Sequence, residues 1–576
     1  MVTKTVVRRK KVCDEHLSGQ LHPVIKQIYA SRGVSSDQEL TLATNLLAPV
    51  GSMKGLEKAC QVLFHALKNQ QSIFIIGDFD ADGATSTALM MIALSLFGCK
   101  NHQFLVPNRF EYGYGLTPEI VNIAANQGAQ LLITVDSGIS CHAGVEQAKA
   151  LGLKVIVTDH HLAGKTLPPA DAIVNPNQPD CAFTSKSIAG VGVAFYLCLA
   201  MRKYLREQEW FNQQGINEPN IAQLLDLVAL GTVADVVSLD ANNRILVEQG
   251  LKRIRAGVTR PGIQALIEVA GKKQQQLVAS DFGFALGPRI NAAGRLDDMA
   301  FGINCLLADN LMNARLMAQE LDGLNKTRRE IEQGMQQEAE SVLKALNFTE
   351  DTLPSAIALF HQDWHQGVIG IVAGRLKEKY HRPTIVFAQS ENGLELKGSA
   401  RSILGLHIRD LLEHIDSQKP ELIIKFGGHA MAAGLSINKA HFNEFQQAFT
   451  HYASLWLNEE LLQGTIMSDG ELPSEAMTLS FAQLIRDSGP WGQNFPEPTF
   501  DDTFTLMQQR IVGEKHLKIV VEKEGQLYDG IAFNVDVSQW PNPQIQQVHL
   551  AYRLDINEFR DKQSLQLIVE HITVVN

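Results

Sequence analysis

The chain has 576 residues, 45% hydrophobic and 20% charged, and a net charge of −11. That length exceeds a single core and predicts two to four domains of ordinary globular composition. No apolar run is long enough to cross a membrane, and the acidic balance argues against a generally basic, nucleic-acid-binding surface, though not against a basic channel within an acidic shell.

The basic start MVTKTVVRRKKVCDEHL lacks a following apolar region, so no signal peptide is expected. Seven scattered cysteines without a CxxC pair read as reduced thiols of a cytoplasm rather than a disulfide frame or a zinc site. From residue 72 to about 178, the strands SIFIIGD, QLLITVDSG, KVIVTDHH and DAIVNPN alternate with the helices TSTALMMIALSLFG and AGVEQAKALG. Apolar strands separated by helices predict a parallel sheet covered on both faces, which collects ligands at its carboxyl edge. A mostly helical section follows to about 256, and residues 313–346 predict one long, mostly polar helix joining two bodies. A second α/β unit begins with SAIALFH and VIGIVAGRLKEKY and runs to about 458. The last hundred residues alternate like strands of a small β barrel or sandwich.

Three aspartates, 78, 80 and 82, stand at alternate positions in GDFDADG, just where the first strand ends. Asp136 ends the second strand, Asp159, His160 and His161 end the third, and Asp235 lies in GTVADVV, an apolar helical setting where a lone carboxylate is costly. Taken singly, an aspartate after a strand is more often a turn former or helix N-cap. Together these residues repel one another and call for a cation. Carboxylates with an imidazole suit Mn²⁺ or Mg²⁺, and so many acids suggest two ions sharing one carboxylate, roughly 3.5–4 Å apart. Such a pair fits phosphoester or phosphoanhydride hydrolysis.

GDFDADG, VDSG, TDHH and GTVAD, in this order, resemble the four motifs of the DHH phosphoesterase superfamily. VPNRFEYGYGL, GVGVAFYL, GPRINAAGRLDD, WHQGVIGIVAGRLKEKYHRPTIVF, GSARS and KFGGHAMAAGLSI are similar to its RecJ branch. The resemblance implies a bacterial, cytoplasmic, single-strand-specific exonuclease of recombination and repair, degrading DNA from the 5′ end to mononucleotides with two Mn²⁺ or Mg²⁺ ions. It implies a parallel-sheet DHH catalytic domain with an N-terminal extension (1–310), a connecting helix (311–348), a DHH-associated α/β domain (349–458) and an oligonucleotide-binding (OB) barrel (459–576). In that scheme Asp80 and Asp82 each hold one metal, Asp136 bridges, and His160 and Asp235 complete the second ion. Asp78 ligates or orients a neighbour, His161 faces the scissile phosphate, and Asp159 orients its loop.

For the strand itself, Arg109 with Tyr112 and Tyr114 offers charge and base stacking. Arg289, Asn291 and Arg295 are read as a phosphate-approaching loop, with Ser399 and Arg401 in a second loop. Gly427, Gly428 and His429 are read as a backbone cradle for phosphate. By resemblance the second α/β unit closes over the first and its loops take the 5′ end. Single-stranded DNA is the expected partner, with a single-strand-binding protein and a RecQ-type helicase implied by the family, and a monomer is expected. A small-substrate phosphatase or oligonucleotide hydrolase of the same superfamily is the alternative, and a non-cleaving scaffold the reading from another class.

Overall fold

The computed structural model describes residues 4–108, 112, 115–345, 353–560 and 562–575. The chain divides into two compact units, one of residues 10–325 with 483–497, the other of residues 1–9, 326–482 and 498–576. The first strand, β1 (Lys4–Arg8), belongs to the latter unit.

In the unit of residues 10–325, β2 (Ile73–Ile76), β3 (His102–Leu105), β4 (Leu131–Val135), β5 (Lys154–Thr158) and β6 (Ala172–Val174) form one parallel sheet in the order β3-β2-β4-β5-β6. The sequence reading includes every strand of this sheet except β3, an edge strand whose HQFL pattern is half polar. All four residues of β2 and all five of β4 are buried, as expected of a sheet covered on both faces. Burying each such Ile, Leu or Phe side chain stabilises the fold by roughly 1.5–3 kcal/mol. On one face, Ile120, Val121 and Ala124 of the helix Pro118–Asn126 and Val145 and Ala148 of His142–Ala150 pack against Phe74, Ile76, Leu132 and Val157. The helix Ala81–Leu96 is apolar around most of its circumference, as a helix sunk in the core must be. Its neighbours Gly190–Glu207 and Leu225–Ala234 are buried with it.

The long helix spans Leu311–Ala345. After it, β7 (Ile357–Phe360), β8 (Thr384–Gln389), β9 (Glu395–Arg401), β10 (Lys425–Gly428) and β11 (Ala432–Asn438) form a sheet ordered β10-β11-β9-β8-β7. Only the β7–β8 pair is parallel. Its core is completed by Leu411, Leu412 and Ile415 of one helix and Phe445 and Phe449 of another. β12 (Gly464–Ser468) pairs in parallel with β1. β13 (Phe500–Val512), β14 (His516–Lys523), β15 (Gln526–Ala532), β16 (Gln547–Phe559) and β17 (Lys562–Val575) then close a five-stranded barrel. Of the expected barrel or sandwich, the barrel is the one formed. Arg8, at the end of β1, donates from Nε and Nη2 to the buried carboxylate of Asp501 at 3.0 and 2.8 Å, so β1 is tied to the first strand of the barrel. Among the described residues no helix is long and apolar enough to cross a membrane.

Candidate metal centre

Strands β2, β4 and β5 run in parallel and end on the same edge, and each delivers acids there. Asp78 follows β2 by one residue, Asp136 follows β4 directly, and Asp159 to His161 follow β5. Asp80 caps the helix Ala81–Leu96, accepting a hydrogen bond from Gly83 N at 3.0 Å, and stands in the same acidic cluster as Asp78 and Asp136. Asp82 lies in the first turn of that helix. Asp235 ends the helix Leu225–Ala234.

The ligand-capable atoms fall into three overlapping groups, in each of which all lie within 4.8 Å of one another: Asp78, Asp80 and Asp136; Asp82, His160 and Asp235; and Asp136, His160 and His161. Nε2 of His160 is 3.1 Å from Asp136 Oδ1 and 3.5 Å from Asp235 Oδ2. Asp136 therefore stands between the first two groups. It does so from the left-handed backbone region, with φ 57°, a conformation that aspartate tolerates better than most residues.

Electrostatics explain why these acids need cations. Burial, then repulsion from Asp82, Asp80, Asp235 and Asp78, pushes the Asp136 carboxyl well above its usual range. Burial and the charges of Asp82, Asp80 and Asp78 do the same to Asp235. Asp82 is pushed up to about 7 by burial and by Asp80, although Gly190 N and Val191 N donate to it at 2.6 and 2.9 Å from a helix N-terminus. Five carboxylates in a low-dielectric recess are unstable without a compensating charge, and the oxygen-rich donor set with one or two imidazoles fits Mn²⁺ or Mg²⁺.

Asp159 has another task. It is buried, and its Oδ2 accepts from Ile139 N at 2.9 Å. Its Oδ1 accepts from His160 N at 2.7 Å and His161 N at 3.1 Å, and lies 2.7 Å from His161 Nδ1. Burial would raise its pKa, but His161, His160 and these donors hold it below its usual value. Burial alone would lower the His161 pKa; the hydrogen bond and charge of Asp159, with Asp78 and Asp80, outweigh that and hold it at about 9.

Several supporting residues escaped the sequence reading. Asn175 and Asn177 donate to the carbonyls of His161 and His160 at 3.0 and 2.6 Å, clamping the double-histidine turn. Their only signal is the turn-rich VNPNQPD after the last strand. Gly190 is fixed by space: a Cβ there would sit 2.7 Å from both Cβ and Oδ1 of Asp136.

The expected substrate residues are placed unevenly, and several differ from expectation. GPRINAAGR is helical, Gly287–Leu296, not a loop: its proline occupies the first turn, where the missing N–H costs nothing. Asn291 turns to the metal motif, where its Oδ1 accepts from Ala81 N at 2.7 Å. Arg289 is buried and donates to Asp322 at 2.9 Å and to the Ala285 carbonyl at 2.7 Å. Arg295 lies in the last turn of the helix. Tyr112 is half-buried and packs against the apolar cluster that includes Leu116 and Ile120. Arg109 and Tyr114 lie outside the described residues. Ser399 and Arg401 belong to strand β9, and Gly427 and Gly428 to strand β10, rather than to loops. The sheet nevertheless gathers them: Gly434 of β11 pairs with Ser399 on one side and Gly427 on the other. Arg401 Nη1 donates to Ser399 Oγ at 3.1 Å, and the exposed His429 follows at the β10–β11 turn. A Cβ on Gly370, at the start of the helix Ile369–Tyr380, would lie 2.9 Å from Ser399 Oγ and 3.0 Å from Arg401 Nη2. Cationic, hydroxyl and helix N-terminal groups thus lie close together, a combination suited to phosphate.

Comparison with known proteins agrees with this anatomy. Residues 72–232 match the DHH family N-terminal domain, 353–455 the DHHA1 domain, and 468–571 the RecJ OB domain. The single-stranded-DNA-specific exonuclease RecJ of Escherichia coli (strain K12) is 58% identical over 98% of both chains. The crystal structure of RecJ in complex with Mn²⁺ from Thermus thermophilus superposes with a TM-score of 0.78 at 29% identity, covering 97% of this chain and 76% of that one. The Mg²⁺ complex from the same organism gives 0.73 at 27% identity, covering 97% and 75%.

Proposed function

Because the chain belongs to the RecJ family, we propose that it hydrolyses single-stranded DNA from the 5′ end, releasing 5′-mononucleotides with two divalent ions at the Asp–His centre. Single-stranded-DNA exonuclease activity with Mn²⁺ or Mg²⁺ follows from relatives of this identity and from metal-bound structures of the same fold. The single observation that carries the two-ion reading is the position of Asp136, shared between the Asp78–Asp80 group and the His160 group.

We assign Asp78, Asp80 and Asp136 to one ion, and Asp82, His160 and Asp235 with Asp136 to the other. When bound, the ions would activate water and neutralise charge on the phosphodiester. Asp159 keeps His161 protonated through Nδ1, so that Nε2 is the donor toward the phosphate or the departing O3′. Gly190 N and Val191 N hold Asp82 in one rotamer, and Asn291, Asn175 and Asn177 hold the turns that carry the ligands. Ser399, Arg401, Gly427, Gly428 and His429 would receive the 5′-phosphate, which sets direction. Contacts to phosphate and base faces leave little sequence preference. A cytoplasmic monomer acting in recombination and repair, beside a single-strand-binding protein and a RecQ-type helicase, completes the proposal.

The test is a time course on a 5′-phosphorylated single strand labelled at its 3′ end, on the same strand labelled at its 5′ end, and on the duplex, each with Mn²⁺ or Mg²⁺. Mononucleotides released at once from the 5′ label, with a 3′ label that shortens stepwise and an intact duplex, are expected. Release of the 3′ label first would refute the direction. Turnover of dinucleotides alone would favour the small-substrate branch.

A further inference from the structure

Three large apolar side chains stand in solvent on or beside the elements that carry the acids. Leu162 is 63% exposed and follows His161, Val236 is 64% exposed and follows Asp235, and Phe284 is 82% exposed. Single exposed apolar residues need no explanation, but three on elements that adjoin one acidic cluster do. Asp235 and His160 approach to 3.5 Å, so Val236 and Leu162 each lie within two residues of that contact. Phe284 sits in a π-helical turn, Phe282–Leu286, a geometry that recurs at functional sites. Phe282 and Leu286 are buried and anchor the turn, which leaves Phe284 outward. Its neighbour Gly283 lies against Val233, a Cβ there being 3.7 Å from Val233 Cγ1, on the last turn of the helix that delivers Asp235.

Val236 adds an independent sign. Its φ is 61°, a strained value for a β-branched residue, and the strain holds an apolar group in water rather than in the core. Strain of this kind concentrates at functional sites.

We propose that Phe284, flanked by Val236 and Leu162, forms an apolar collar that stacks on a nucleobase of the strand being cut. The collar presupposes that single-stranded DNA is the substrate. A phosphodiester seated among the acids carries its flanking bases toward the end of the helix Leu225–Ala234, against which the Phe282–Leu286 turn packs, and base faces are what an exposed aromatic ring there can meet. Such stacking accepts any base and adds grip without sequence preference. In this role Phe284 positions the substrate and takes no part in the bond-breaking step.

The experiment compares a 5′-phosphorylated oligonucleotide with the same strand carrying three abasic (tetrahydrofuran) residues at its 5′ end. Initial rates at low strand concentration are measured for wild type, Phe284→Ala and Phe284→Trp, with melting curves to verify folding. Wild type is expected to favour the base-bearing strand by about tenfold, the usual worth of one base–aromatic stack. Phe284→Ala should lose rate on that strand only, bringing the ratio near one, and Phe284→Trp should restore it. An unchanged ratio in Phe284→Ala, equal losses on both strands, or no preference in wild type overturns the collar. Failure of wild type to digest the base-bearing strand at all would instead overturn the exonuclease reading, and the collar with it.

Discussion

Stripping the metals should make this protein less stable as pH rises. Asp82 has an ordinary carboxylate value of 3.8 when unfolded and about 7 when folded. A carboxyl with a raised folded pKa favours the folded state when protonated. That advantage is complete below about pH 4 and is lost as pH climbs through about 7. The shift corresponds to on the order of 4 kcal/mol, or roughly 5–10 °C in Tm for a unit of this size. Asp136 and Asp235 are raised as well and act in the same direction. Asp159, held low, contributes oppositely, but only below about pH 4. The assay is calorimetric melting of chelator-treated protein at pH 5.5 and pH 8, with and without Mn²⁺. Metal-free Tm should fall between the two pH values, and Mn²⁺ at about 100 times Kd should restore about 2.7 kcal/mol per site, chiefly at pH 8. Asp82→Asn, which cannot titrate, should flatten much of the slope. A metal-free Tm that is constant or rises from pH 5.5 to 8 would refute the reasoning.

Other perturbations probe separate parts. Asp159→Asn should leave Mn²⁺ binding nearly intact but lower kcat by about 10²-fold or more, since His161 loses its charge partner; an unchanged kcat in single-turnover digestion would remove His161 from the proton chemistry. Gly190→Ala should cost most of the activity by pressing a methyl group against Asp136, measured as weakened Mn²⁺ binding with an unaltered circular dichroism spectrum. Ser399→Ala with Arg401→Ala should erase the advantage of a 5′-phosphate over a 5′-hydroxyl end while single-strand binding persists. Arg8→Ala should destabilise the barrel-bearing unit by about 1 kcal/mol, since Arg8 is half exposed and Asp501 keeps Ser468 and His549 as partners, read by urea unfolding.

Much of the fold was legible because β2, β4 and β5 are continuous apolar runs ending in acids, a pattern that parallel sheets impose. The convergence of Asp78, Asp80, Asp136 and His160 follows from that geometry alone. Less legible was anything set by distant pairing. β1 meets β12 across the whole chain, and VVR gives no sign of it. GPRINAAGR and GSARS were misread as loops for a different reason. Their small residues suggest breaks, yet Gly294 is small because a Cβ there would fall 2.0 Å from the Phe79 carbonyl, and Ser399 and Ala400 are paired strand residues. Asn175 and Asn177 could not be told from ordinary turn formers, since their role lies in which carbonyls they reach.

The most direct measurement of the central claim is a count of Mn²⁺ ions by isothermal titration calorimetry at pH 8, on wild type and Asp136→Ala, with single-strand digestion followed on the same samples. Two ions in wild type, both weakened in Asp136→Ala, with digestion abolished and strand binding retained, is the predicted result. One ion in wild type, or two tight ions and retained nuclease activity in Asp136→Ala, would contradict it.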